Sequence, residues 1–140
     1  MRMLRRRRAH RQPALHDSER GSAPVEIVLV GGLLTLLTVS VLQLALALHV
    51  RSTLIDAAAE GARHAALADS SLAAGVERSR NLIGTAVGAS YAREVSADLG
   101  TYAGHPVVVV TVRAPLPLLG LLGPDRVLEV SGRAALEPLR

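Results

Sequence analysis

Hydrophobic and polar positions fall into three regimes along the chain. The first 21 residues are polar and basic. Residues 27–48, IVLVGGLLTLLTVSVLQLALAL, carry no charge, and Gln43 is their one strongly polar side chain. As a helix this stretch spans about 33 Å, against roughly 30 Å of hydrocarbon in a bilayer. A core helix of a soluble protein carries a polar stripe, whereas here apolar residues go all the way round, which predicts a membrane span. From His49 onward the pattern narrows. Val50, Leu54, Ala58, Ala62 and Ala65 recur every three to four residues. The helix is therefore expected to continue to about residue 67 with a single apolar face, until Ala68-Asp69-Ser70-Ser71 breaks it.

Residues 71 to about 89 predict a second helix, capped by Ser70 or Ser71, with Leu72, Val76, Leu82, Ile83 and Val87 apolar. The period then changes to two. Val95, Ala97 and Leu99 alternate with Ser96 and Asp98, and a turn is expected over residues 100–104. A β-branched run follows at 107–112, and residues 127–136 alternate again, with Leu128, Val130 and Ala134 opposite Glu129, Ser131 and Arg133. The expected fold class is α+β: a long N-terminal transmembrane helix, then a small domain with a second helix and about three antiparallel strands. The organisation this implies is a leader at 1–21, a transmembrane and stalk helix at 22–68, and a domain at 69–140. A domain of that size without disulfides is marginal by itself and leans on its own stalk helix or on partners. Leu116, Leu118, Leu119, Leu121 and Leu122 crowd a Pro/Gly-rich connection where polar residues are usual. Either they plug the small core or they form a docking patch.

Charge sharpens the picture. The net charge of +4 and pI near 10.9 suggest a nucleic-acid binder, but seven arginines lie in residues 1–21 against only Asp17 and Glu19. The remaining nine face ten acids, a net of −1. With the basicity confined to the leader and Tyr91 and Tyr102 the only aromatics, a nucleic-acid face is excluded. Only Arg51 and Arg63 occur in the twenty residues after the span, so the arginine asymmetry predicts a cytoplasmic N-terminus and an extracytoplasmic domain. Ala45-Leu46-Ala47 would suit a signal peptidase, but the apolar run before it is too long for a conventional signal and Glu26 sits at its mouth. A twin-arginine signal fits less well, because no hydrophobic residues directly follow residues 5–8.

Catalytic chemistry has little to stand on. There is no cysteine, and His10, His16, His49, His64 and His105 show no metal-ligand spacing. Leu-Gly-Leu-Leu-Gly at 119–123 is a loop and not a phosphate cradle. The chain is expected to be no enzyme, with no metal, cofactor or small-molecule substrate.

The span's entrance is more specific. Glu19-Arg20-Gly21-Ser22-Ala23-Pro24-Val25-Glu26 puts a glycine five residues before a lone glutamate at the mouth of a charge-free helix, behind a basic leader. Here the sequence resembles the prepilin class, and within it the TadE-like proteins of tight-adherence (Flp) pilus systems. Ala59-Glu60-Gly61-Ala62-Arg63 after the span, a β-rich tail and a final Val-Leu-Glu-Val-Ser-Gly-Arg-Ala-Ala strand also match. The resemblance implies cleavage between Gly21 and Ser22 by a prepilin peptidase, leaving Glu26 as fifth residue of the mature chain. It implies membrane lipid, the peptidase, other pilin-like subunits and the pilus assembly machinery as partners. Two residues depart from the pattern: Ile27 follows the glutamate where an aromatic often does, and Pro24 enters the first turn.

Alternatives stay open for single residues. Glu26 can serve subunit or peptidase recognition, or merely favour a helix N-terminus. Gly31 and Gly32 can pack helices closely or be tolerated small residues. Gly61, costly in a helix, is expected to allow a close contact with the tail or with a neighbouring subunit. Glu60 is in reach of Arg63 or His64. The other function class is a single-pass membrane protein with an interaction domain and no filament.

Overall fold

The computed structural model describes residues 22–116 and 127–137, and the chain divides into two compact units, residues 1–39 and 40–140. Helix α1 (Ser22–Ala65) begins in the first unit. Pro24 lies in its first turn, where a missing N–H costs nothing. From Ala23 to Val39 every side chain is exposed.

The second unit contains the rest of α1, helix α2 (Leu72–Ala86), a 3-10 turn at Ala89–Ala92, and strands β1 (Glu94–Tyr102), β2 (His105–Pro115) and β3 (Val127–Ala135). The strands form one antiparallel sheet in the order β1-β2-β3. The fold is therefore α+β, with a stalk helix ahead of a second helix and a three-stranded sheet, as the periodicity predicts. Ser71 is the cap of α2, accepting from the Ala74 amide at 3.1 Å.

Three boundaries differ from expectation. Helix α1 stops at Ala65, where the Ala66 amide already splits its bond between the Ala62 and Arg63 carbonyls. Helix α2 stops at Ala86, because the amides of Val87 and Gly88 both return to the Ile83 carbonyl and Gly88 takes φ 108°. The β1–β2 turn is two residues and not five: Tyr102 pairs with His105, and Ala103 (φ 50°) and Gly104 (φ 81°) make the bend. Successive positive φ values are what a tight hairpin needs to match strand twist. Gly100 stays in the strand opposite Val107. A Cβ there would lie 3.3 Å from a Val109 methyl, so its bareness serves cross-strand packing.

One sheet face lies against the helices. Val108, Val110 and Val112 are fully buried on that face, in register with Leu99, Ala97 and Val95 on β1 and with Ala134, Gly132 and Val130 on β3. Val50, Leu54, Ala58, Ala62 and Ala65 are all buried in the same cluster, so the predicted stripe is the helix's core face. Leu99 shares the inward register yet is 65% exposed. On the opposite face the Arg133 guanidinium sits 5.6 Å from the centre of the Tyr102 ring, spanning β2 near Val107.

Candidate functional site

The feature that sets this chain apart is the exposed apolar length of α1. Val25, Ile27 to Val30, Leu33, Leu34, Leu36, Leu37, Val39, Val41, Leu42, Leu44, Leu46 and Leu48 are each between 44% and 73% exposed. In water such a surface would aggregate; in hydrocarbon it is the natural exterior. By length and composition α1 is a candidate membrane span. Its hydroxyls suit that setting. Thr35 and Thr38 each donate to the carbonyl four residues earlier, on Gly31 and Leu34, at 2.8 Å. Those polar groups are satisfied within the helix.

Glu26 is exposed and lies in the second turn, four residues after Ser22. The dipole preference for acids fades within the first turn, so this position weakens the reading of Glu26 as a simple helix-end residue. Gly21 lies outside the described residues, as does the side chain of Ser22. Gly31 and Gly32 have open space where a Cβ would stand, so no close helix partner of theirs belongs to the described chain.

Gly61 does have a partner, and it is α2. A Cβ at Gly61 would collide with the Ser79 hydroxyl and lie 2.6 Å from the Gly75 carbonyl oxygen. Ser79 is fully buried and donates to the Ala57 carbonyl at 3.0 Å, a bond between the two helices. Sequence reasoning found Gly61 but missed Gly75, Ser79 and Gly132. The buried positions of α2 are Gly75, Ser79 and Ile83, a four-residue step that hydrophobicity does not mark. Gly132 meets the backbone of Ala58 and Ala59, which admits no side chain.

Charged side chains decorate the unit's exterior. Glu60 pairs with Arg63 at 3.2 Å and with Arg78 of α2 at 3.7 Å, not with His64. Across β2 and β3, Arg113 donates to Glu129 at 2.7 Å. That hydrogen bond, and then the charge of the same carboxylate, raise the Arg113 pKa further above its usual range. These pairs are largely exposed and contribute little. At the far end of β3 the Glu137 amide donates to the Ala66 carbonyl at 3.0 Å, and its carboxylate accepts from the Ala68 amide at 3.3 Å. Among the described residues no group of three or more His, Asp or Glu side chains could hold a metal ion.

The family model described as TadE-like protein matches residues 21–63. This segment of the chain is TadE-like. No curated protein and no solved structure matches. The TadE-like match takes in Gly21, Glu26, the apolar span and the stalk as far as Arg63, including Gly61. Helix α2 and the sheet lie beyond the TadE-like segment.

Proposed function

We propose that this chain is a pilin-like, TadE-type minor subunit or membrane-bound assembly factor of a type IV (Flp/Tad) pilus, processed by a prepilin peptidase. The observation that carries the reading is an exposed, charge-free helix surface with one carboxylate in its second turn, inside the TadE-like segment. The leader, with its seven arginines, stays in the cytoplasm, and the domain is extracytoplasmic. The peptidase cuts after Gly21, whose lack of a side chain leaves the scissile bond accessible. Ser22 then carries a free α-amino group about 6 Å along the helix from Glu26 and on the same face. In a bilayer neither charge is well solvated, so each gains from an opposite charge nearby. Pairing of the carboxylate with the amine of an adjacent subunit would set the register of packed helices. The role is one of assembly and includes no catalytic step.

N-terminal sequencing of the protein from membranes tests this directly. The expected mature chain starts at Ser22, and a bulky residue in place of Gly21 leaves it uncut. A chain that begins at Met1 makes it a plain single-pass anchor with an interaction domain. A start at Leu48 makes it a secreted protein.

A further inference from the structure

Both outer strands of the sheet present an edge that can be extended. Among the described residues β1 and β3 each pair with β2 alone. Each is nine residues long, pairs without a bulge, and holds no proline, lysine or inward-facing charge, the devices that commonly stop a strand from being extended. Their direction is tied to α1. Gly132 meets the backbone of Ala58 and Ala59, and five residues later the Glu137 amide bonds to the Ala66 carbonyl, so β3 advances with the helix. β1 does too, since both strands run against β2. Copies held in one membrane by α1 all point the same way. Antiparallel joining of two β1 edges would turn one helix over, which excludes it between such copies. Laying β1 of one copy along β3 of the next keeps every strand direction and every sheet face. The backbone suits this joint. In an antiparallel ladder Val109 exchanges its bonds with Asp98 or with Arg133, not with both. One of those two residues therefore turns its backbone groups outward and the other does not, the alternation that a parallel pair at equal height requires.

Charge selects the same joint. Asp98 and Arg133 lie at one level on the outer face, on either side of Val109, and both are exposed. Among the described residues neither belongs to an ion pair: Arg133 has the Tyr102 ring, and the Asp98 side chain has no partner. Within a copy two strand spacings, about 10 Å, part them, whereas one spacing, about 5 Å, parts Asp98 from Arg133 of the next copy. The other charged row holds Glu94, Arg113 and Glu129. There Glu94 comes beside a Glu129 whose carboxylate Arg113 already holds at 2.7 Å. On the helix side Leu99, 65% exposed in its own chain, gains Ala134 of the next copy as a neighbour.

We infer that the two outer strands are an interface between copies of this chain: β1 of one copy lies along β3 of the next, parallel and at equal height, with Asp98 beside Arg133 of that next copy. The inference rests on the membrane anchoring proposed above, and not on processing or on a pilus. Such a joint does not close on a pair. It uses unlike edges, so it repeats from copy to copy into a file or a ring.

The absence of cysteine allows a clean test. Ser96 and Ser131 are exposed and flank Thr111, one row from Asp98 and Arg133. Ser96→Cys and Ser131→Cys are placed together in the full chain, and carbonate-washed membranes are oxidised. Within a copy the two Cα atoms are about 10 Å apart, too far for a disulfide, which needs about 4.4–6.8 Å; across the joint they are about 5 Å apart. A ladder of cross-linked oligomers is expected on a non-reducing gel, with no dimer from either single variant. Asp98→Arg in the double-cysteine chain should cut the cross-linked fraction about fivefold, and Arg133→Asp added to it should restore the ladder. Monomer alone, in protein that stays with the washed membranes, would overturn the joint and leave the span intact. A dimer from either single variant would mean that like edges meet, and would overturn it as well. Loss of the protein from washed membranes would overturn the span and the joint together.

Discussion

Ser79 stands in the space that a Cβ on Gly61 would need, and its buried hydroxyl bonds to Ala57 one turn earlier on α1. The Gly75 carbonyl closes the other side at 2.6 Å from the same position. Gly61→Ala should therefore destabilise, although alanine is the better helix former. The propensity gain of about 1 kcal/mol is outweighed by an overpacking cost of about 1–3 kcal/mol, since a carbonyl cannot rotate away. Denaturant titration of the full chain in micelles, followed by circular dichroism, should give an earlier midpoint. Gly31→Ala, with open space around it, should not.

Gly132 presents a harder constraint. Every near neighbour of its would-be Cβ is backbone of Ala58 or Ala59. Gly132→Ala has to push the sheet off the helix, at a cost at or above the upper end of about 1–3 kcal/mol. Limited proteolysis should then cut residues 40–140 under conditions in which the parent resists.

Ala103 offers a change in the other direction. It holds φ 50° without being glycine, at the first position of a two-residue turn that favours asparagine there. Ala103→Asn is expected to stabilise by about 0.5–1 kcal/mol, read as a later unfolding midpoint. Loss of stability would mean that the bend is not the one described.

Glu26→Gln separates charge from shape. The variant should still insert and be largely cleaved, because the proposed cut falls after Gly21 and not at Glu26. It should no longer support piliation or co-purify with pilin partners. Membrane fractionation, the mature N-terminus and a count of surface pili in a strain that carries only the variant would check each step. Normal piliation would reduce Glu26 to a helix preference.

Much of this fold is legible in the sequence because its elements differ in period. The stripe from Val50 to Ala65 and the alternation in β3 each name the buried face correctly. Reading fails where burial is not hydrophobic. Gly75, Ser79 and Gly132 are core positions chosen for how little space they fill, and hydropathy does not register absence of bulk. Gly100 misleads in the opposite way, signalling a turn while it serves packing against Val107 and Val109. Leu99 shows that alternation gives a face but not its cover. Glu26 and Gly21 are candidates on motif spacing alone. Glu26, an isolated side chain on an exposed helix, has no packing pattern to betray it.

The parallel course of β3 and α1 has a mechanical consequence. Their contact runs from Gly132 against Ala58 and Ala59 to the Glu137–Ala66 bond, so it is a seam laid along the helix axis. Tension applied through the stalk would load that seam in shear. Every contact along it would have to slide at once, whereas a seam set across the axis could be peeled one contact at a time. The small residues that let the two backbones touch also form the teeth that resist sliding.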